Sequence, residues 1–311
     1  MHPTKKDTLW KGILEDFFRQ FLSFFFEEAE VLFDMKRPFE FLDKEIAHAG
    51  MDNAVRHPVF VDMLVKVYKH HTDDFVLFHI EVQGSRSSFF SLRMFRYFIR
   101  LFNKYQKQIG SHVIFTDKSK LVHPASYSYN FFGTVLTFRY DSYAIAAQSE
   151  TVLNRDKNPL AFIFLTVLLA HKKNKIADVD LLRQKIVLGE KLFRENWTDS
   201  QKFRLLYFLK NYIHFDNNNL NCKFNEAIQF IAGKKTTNMG MIEVITQHAE
   251  DQANIKTALN MIKKGFKISI IHEVTGVPLK DVKWLQTKYK KSVLSGRPMN
   301  LYLFGADEPL N

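Results

Sequence analysis

The chain has 311 residues, of which 46% are hydrophobic and 25% are charged, a composition typical of a folded globular protein rather than a disordered one. Its 44 Lys and Arg residues outnumber its 33 Asp and Glu residues, so the formal net charge is +11. An excess of this size favours a polyanionic partner, either nucleic acid or an anionic membrane surface. Cys222 is the single cysteine, which excludes an intramolecular disulfide and a cysteine-based zinc site.

Membrane and secretory signals are weak in this sequence. The first residues, MHPTKKDTLWKG, lack the apolar core of a signal peptide. The longest nearly uniform apolar run, residues 159–170, is shorter than the ~20 residues that cross a bilayer, and it predicts a buried helix instead. We therefore expect a protein of the reducing cytoplasm without a membrane partner.

The first elements in chain order are a helix and a short strand. Residues 12–26 carry Leu and Phe at the spacing of one helical face, which predicts an amphipathic helix. Residues 38–46 alternate briefly between apolar and polar side chains, which predicts a strand.

Two further strands carry the polar residues of interest. Residues 60–68 alternate with Asp62 on the polar side, and residues 75–83 alternate with Glu81 and Gln83 on one side. Side chains two residues apart point to the same face of a strand. If these strands pair, Asp62 meets Glu81 on one face of the sheet.

The next elements alternate between helix and strand and then become helical. A helix is predicted for residues 88–107, and the strands on either side of a Pro-containing loop are predicted for residues 111–117 and 134–140. Helices follow at residues 159–172, 176–195 and 199–214, the last with Asp199 or Ser200 as its N-cap.

The C-terminal part is predicted to be entirely helical. A long helix from about Met239 ends at Gly265, a suitable C-cap. Helix, glycine-containing turn and second helix follow, with Pro278 near the start of the second, a pattern typical of a helix-turn-helix. Nine lysines but only two acids lie between Lys256 and Lys291.

A paired Asp62 and Glu81 could bind a hard cation. Mg²⁺ favours one or two protein carboxylates together with waters and phosphate oxygens. The alternative is that an exposed strand carries ordinary solvated Asp, Glu and Gln residues.

Several segments together resemble a known nuclease family. The stretches are ILEDFFRQFLSFFF, FEFLDKEI, FVDMLVKVY, LFHIEVQG, RMFRYFIRLFNKY and HVIFTD. They are similar to the recombination-promoting nucleases, a transposase-like family of the PD-(D/E)XK, or restriction-endonuclease-like, superfamily. The similarity covers roughly residues 8–145 well and continues more loosely to the C-terminal helices.

This resemblance implies an α/β fold with a mixed central sheet flanked by helices, and Mg²⁺-dependent hydrolysis of phosphodiester bonds in double-stranded DNA. Asp62 corresponds to the strand aspartate of the family, and Glu81 to the acid of the (D/E)-x-K motif. Gln83 stands where the wider superfamily has lysine; it can orient water by hydrogen bonds but carries no positive charge. Met63 is a second departure, because many relatives have lysine there.

The additional acid that some family members use has three candidates. Glu15 on the first helix is one, with a solvated ion pair to Arg19 as its alternative. Asp43 and Glu45 in FLDKEI are the others.

The helix after the motif carries a basic stripe suited to DNA phosphates. Its members are Arg93, Arg96, Arg100, Lys104 and Lys107. A solvated helix face is the alternative interpretation, and only Arg93 is carried over as a neighbour of the active site.

The sequence therefore predicts a nuclease core at 1–150, a helical extension at 151–265 and a basic, degenerate helix-turn-helix tail at 266–311. The leading hypothesis is an endonuclease of low sequence specificity that promotes DNA recombination. One alternative is a catalytically inactive DNA-binding protein of the same fold. Another is a scaffold that self-associates through its C-terminal helices.

Overall fold

A computed structural model describes residues 5–42, 45–46, 59–60, 62–85, 87–235 and 257–295. The chain divides into two compact units, Met1–Ile228 and Gln229–Asn311. The first unit holds both the predicted nuclease core and most of the predicted helical extension. The domain boundaries at 150 and 265 stay predictions.

A five-stranded mixed sheet forms the centre of the first unit, so the predicted α/β class is confirmed. The strands of the chain are β1 Glu40–Phe41, β2 Glu45–Ile46, β3 Val59–Phe60, β4 Met63–Tyr68, β5 Phe75–Gln83, β6 Ile109–Phe115, β7 Ser126–Phe131, β8 Thr134–Arg139 and β9 Asp141–Ala144. The strand order of the central sheet is β1-β4-β5-β6-β9. Strands β1 and β4 run antiparallel to their neighbours, whereas β5, β6 and β9 run parallel to one another. Two separate two-stranded sheets pair β2 with β3 and β7 with β8.

One face of the sheet is covered by a helix that connects two parallel strands. Helix α4 (Phe90–Tyr105) follows β5 and precedes β6, and its buried residues repeat at helical spacing. Phe90, Met94, Tyr97 and Leu101 pack with sheet residues such as Leu77 in a single apolar cluster. Because Leu77 shares its strand face with His79, Glu81 and Gln83, α4 covers the face that bears the predicted site.

Phenylalanines cover the opposite face of the sheet. The N-terminal helices are α1 (Lys5–Asp16), α2 (Phe18–Phe25) and α3 (Ala29–Leu32). Phe18 and Phe26 place their rings 6.3 and 5.3 Å from the ring of Phe78 on β5. On β6, the ring of His112 lies 4.1 Å from that of Phe25. The abundant phenylalanines of the N-terminal segment therefore serve as core.

Five helices complete the first unit and lead to its boundary. They are α5 (Glu150–Arg155), α6 (Pro159–Ala170), α7 (Asp178–Arg194), α8 (Asp199–Tyr212) and α9 (Asn218–Lys235). As predicted, α6 is buried almost throughout. No helix among the described residues is long and apolar enough to span a membrane.

Three details of the sequence prediction are wrong. The helix predicted for residues 12–26 is interrupted at Phe17, whose ψ of 26° leaves the helical region. Part of the predicted loop before β8 is the strand β7. The N-cap of α8 is Thr198, which forms a capping box with Gln201, rather than Asp199 or Ser200.

The second unit contains helical residues 257–263 (α10), α11 (Ile268–Thr275) and α12 (Leu279–Ser295). Gly265 and Gly276 both have positive φ, 78° and 68°, and each follows the end of a helix, a position where only glycine avoids strain. Most of the long helix predicted from Met239 lies outside the described residues.

A buried lysine links two helices of the first unit. Lys185 on α7 is fully buried, and its Nζ donates to the carbonyl of Ile213, 2.6 Å away, just beyond the end of α8. The ring of Phe224 lies 4.0 Å from the same nitrogen. Burial lowers the pKa of Lys185 to about 7, because removal from water disfavours the charged form.

We expect the free energy of unfolding to rise as the pH increases from about 7 toward 10.5. In that window the folded chain releases the Lys185 proton while the unfolded chain keeps it, so folding is favoured at higher pH. Lys185→Met should remove this contribution, whereas the control Lys202→Met on α8 should keep it. Urea unfolding at several pH values across the window measures the slope, and an unchanged slope in Lys185→Met contradicts the assignment.

Candidate functional site

Strand register brings Asp62 and Glu81 together. Met63 pairs with Ile80 across β4 and β5, so the preceding residue, Asp62, lies opposite Glu81. The amide of Asp62 donates to Glu81 Oε1 at 2.9 Å, and the amide of Val82 donates to Asp62 Oδ2 at 2.9 Å. This reciprocal pair of hydrogen bonds, the carboxylate clasp, fixes both carboxylates at the end of the strand pair.

A buried histidine holds the same oxygen of Glu81. His79 lies two residues earlier on β5 and is fully buried, and its Nε2 is 3.0 Å from Glu81 Oε1. A carboxylate only accepts hydrogen bonds, so Nε2 is the donor. Both bonds fall on Oε1, which leaves Oε2 of this 5% exposed acid as the oxygen to offer a cation.

Gln83, the third predicted site residue after Asp62 and Glu81, is hydrogen-bonded to Arg93 of helix α4. The guanidinium of Arg93 donates from Nη2 to Gln83 Oε1 at 2.7 Å. Gln83 in turn donates through Nε2 to the carbonyl of Ser85, so the amide is held at both ends. Arg93 also lies over the ring of Phe90, 4.9 Å from its centroid. A positive charge from the helix thus stands beside the glutamine.

Tyr97, one helical turn after Arg93, closes the buried side of the site. Its ring lies edge-on to His79 at 5.5 Å. Burial, together with the nearby negative charges of Glu81 and Asp62, raises the pKa of Tyr97 to about 12. Its hydroxyl is therefore protonated across the physiological pH range.

The end of β6 supports the end of β5. The amide of Thr116 donates to the carbonyl of Gln83 at 2.9 Å. In the loop that follows, Asp117 Oδ2 lies 2.7 Å from His123 Nε2, and the ring of His123 stacks on Phe115. The hydrogen bond from Thr116 thus holds the backbone of Gln83 on the side opposite to β4.

The other predicted site residues lie elsewhere or outside the described residues. Glu15 is 3.5 Å from Lys11, and Arg19, its predicted partner, pairs with Glu30 instead. Asp43 and the side chain of Glu45 are outside the described residues. The roles of Glu15, Asp43 and Glu45 stay predictions.

The basic stripe is shorter than its sequence spacing suggests. Arg93, Arg96, Arg100 and Lys104 lie on α4, but the helix ends at Tyr105. Lys107 lies beyond it and binds Asp74 at 2.8 Å. Arg96 is exposed and Arg100 is half-buried, so the four helical residues run from the site along one face of α4.

Sequence reasoning missed His79 and Tyr97. A period of two places His79 on the same strand face as Glu81 and Gln83, and a spacing of four places Tyr97 beside Arg93 on the helix. Both signals were present, but neither specifies a contact before strand register and helix orientation are known.

The residues present fit a magnesium ion with few protein ligands. Among the described residues, no group of three or more His, Cys, Asp or Glu side chains is arranged to hold a metal. Asp62 and Glu81 supply two carboxylates, which meets the needs of Mg²⁺ when waters and substrate oxygens complete the shell. A closed zinc site requires more side-chain ligands than this pair.

Comparisons with known protein families, with curated proteins and with solved structures find no match.

We expect His79→Phe to weaken Mn²⁺ or Mg²⁺ binding by on the order of 10–100-fold, the usual loss when a residue supporting a ligand is removed. His79→Gln can still donate to Glu81 and should recover most of the affinity. Isothermal titration measures this directly without any assay of activity.

His112→Phe is the matched control for His79→Phe. His112 is also buried in this sheet, but its ring nitrogens have no hydrogen-bond partner among the described residues and its neighbours are phenylalanines. Equal losses in both variants would attribute the effect to folding rather than to Glu81.

Proposed function

We propose that the protein is a Mg²⁺-dependent DNA endonuclease with a restriction-endonuclease-like core, acting on duplex DNA with low sequence specificity and promoting recombination. The observation that carries the proposal is the carboxylate clasp, with Gln83 and Arg93 joined on the same sheet face. The sequence resemblance supports the same activity, and action in the cytoplasm is part of the proposal.

Asp62 and Glu81 would hold the ion. Their orientation is set before any ligand arrives, because backbone amides and His79 already occupy one oxygen of each carboxylate. Preorganised ligands lose little conformational freedom on binding. Bound Mg²⁺ supplies Lewis-acid chemistry toward a phosphodiester.

Gln83 and Arg93 together would replace the lysine that the wider superfamily has in the motif: Gln83 would orient water, and Arg93 would supply the positive charge. The amide of Gln83 can orient an attacking water. The guanidinium of Arg93, held 2.7 Å from Gln83 Oε1, can donate to a phosphate oxygen as negative charge develops. Arg93 on α4 would thus supply the positive charge that Gln83, unlike lysine, cannot supply from the strand.

The basic stripe would bind the DNA backbone beside the site. Arg96, Arg100 and Lys104 continue along α4 from Arg93, and cations that contact phosphates position a duplex without reading its sequence. In the second unit, α10, α11 and α12 form their own apolar core. Helix α12 carries further lysines, so we assign this unit to added DNA affinity.

One observation favours the inactive alternative. Oδ2 of Asp62 and Oε1 of Glu81 already accept hydrogen bonds from the chain, so both acids would also be retained in a DNA-binding protein that has lost catalysis. Cleavage assays separate the two functions.

We expect Asp62→Asn and Glu81→Gln to abolish Mg²⁺-dependent plasmid cleavage. The amide oxygens can still accept the hydrogen bonds of the clasp, so each variant removes a ligand charge while keeping the fold. Glu40→Gln, an acid on β1 whose partners are Lys66 and Tyr68, is the control and should cut normally. Wild-type rates in both site variants with unchanged circular dichroism would exclude the metal assignment, and no cleavage by wild type with Mg²⁺ would leave the inactive alternative.

We expect Gln83→Ala and Arg93→Ala each to slow single-turnover cleavage by on the order of 10²-fold, as when one preorganised donor is lost. Because the two side chains bind each other, the double variant should lose less than the product of the single losses. Arg96→Ala on the exposed part of α4 is the control and should weaken DNA binding with little change in the saturated rate. Strict additivity would mean that Gln83 and Arg93 do not act together.

A further inference from the structure

A short loop leaves the central sheet beside the candidate site. It follows β6, whose last residue, Phe115, is the register partner of Gln83, and we call residues 117–123 the β6 loop. Neighbouring strands lie about 4.8 Å apart and rise about 3.3 Å per residue, so the backbone of Asp117 lies within about 10 Å of that of Gln83.

Hydrogen bonds within the β6 loop fix its conformation. His123 is buried, and its Nε2 donates to Asp117 Oδ2 at 2.7 Å, which ties the two ends of the loop together. Asp117 Oδ1 accepts the amide of Ser119 at 2.8 Å, and the hydroxyl of Ser119 accepts the amide of Leu121 at 3.2 Å. The side chains at the tip therefore project from an ordered support.

A series of ring contacts connects the β6 loop to the arginine of the site. The ring of His123 lies 4.1 Å from that of Phe115, and the ring of Phe115 lies 5.4 Å from that of Phe90. Arg93 lies over Phe90. Because Phe115 shares its sheet face with Gln83, the end of the loop returns to the face that bears the site.

The tip of the β6 loop combines apolar and basic side chains. Leu121 and Val122 are 67% and 93% exposed. Lys118 and Lys120 are exposed as well, and residues 118–122 contain no acid. Proteins that bind the minor groove of DNA use the same combination, with polar or basic side chains in the groove and an apolar wedge between base steps.

The position of the β6 loop selects duplex DNA as its partner. A duplex rises about 3.4 Å per base pair, so a substrate with its scissile phosphate at the carboxylate clasp comes level with the loop within about three base pairs. Phosphates of this segment complement the charges of Lys118 and Lys120. The core of a protein–protein interface, by contrast, is depleted in lysine.

We propose that the β6 loop inserts Leu121 and Val122 into the minor groove beside the scissile bond, with Lys118 and Lys120 on the flanking phosphates. This inference rests on duplex DNA as the partner in the proposed function. Insertion of a wedge unstacks a base step at a cost that depends on the DNA. The protein should therefore prefer a duplex that is already weakened, such as one with a mismatch.

The test is the double variant Leu121→Ser, Val122→Ser in the full-length protein, titrated without divalent metal against a short duplex and against the same duplex with a central mismatch. Wild type should bind the mismatched duplex about 10-fold more tightly, because much of the unstacking cost is avoided. The variant keeps both lysines, so it should still bind DNA but without this preference. Val152→Thr, which removes an apolar side chain of α5 that is also 67% exposed, is the control and should keep it. Fluorescence anisotropy measures the dissociation constants.

Equal binding of the two duplexes by wild type would overturn the wedge. So would a double variant that keeps the preference, or a loss of preference in Val152→Thr. Because the titration contains no metal, an inactive DNA-binding protein with this wedge still shows the preference, and plasmid cleavage with Mg²⁺ tests the nuclease separately. Wild type that binds neither duplex would overturn both the wedge and the proposed function.

Salt dependence tests the phosphate contacts of the β6 loop. Lys118→Gln, Lys120→Gln should lower the slope of log affinity against log salt by up to about 1.8, since each phosphate contact contributes about 0.9. Lys36→Gln is the control, because it removes an exposed lysine near the opposite end of β4, and it should leave the slope unchanged. An unchanged slope in the double variant would overturn the assignment of Lys118 and Lys120.

Discussion

The antiparallel register of β4 against β5 is the constraint on which the site depends. A shift of one residue would turn Asp62 to the other face of the sheet and separate it from Glu81, because side chains alternate along a strand. Leu64 and Val65, on opposite faces of β4, are both buried, so a slip of register would disrupt close packing on both faces of the strand. The same strand register is therefore required both for packing the core and for placing Asp62 opposite Glu81.

Helix α4 connects the separate features of the first unit through its different sides. Phe90, Met94 and Leu101 pack on the sheet, Arg93 reaches Gln83, and Phe95 and Phe98 hold the β7–β8 hairpin. A helix between two parallel strands is held at both ends by the sheet. Its arginine and its aromatic residues therefore keep fixed positions relative to the carboxylates.

The sequence predicts best those elements that depend on interactions between residues close together in the chain. Strand β5 has the predicted bounds because its alternation is unbroken, and Gly265 ends its helix as predicted. The sequence predicts a loop where β7 lies because its Ser, Tyr and Asn residues show little alternation between apolar and polar side chains. Pairing with β8 makes this segment a strand. The break at Phe17 and the bond from Arg93 to Gln83 both depend on tertiary packing, which no periodicity in the sequence records.

Through the carboxylate clasp, Asp62 and Glu81 also contribute to the stability of the sheet. Acidic residues at active sites usually lower the stability of the folded protein, so replacing them with neutral residues often makes a protein more stable. Here Asp62 and Glu81 accept main-chain amides where the β4–β5 ladder ends, and loss of either oxygen leaves an amide without its partner. Substitutions that remove these carboxylate oxygens should therefore lower the stability of the fold, whether or not the protein is an enzyme.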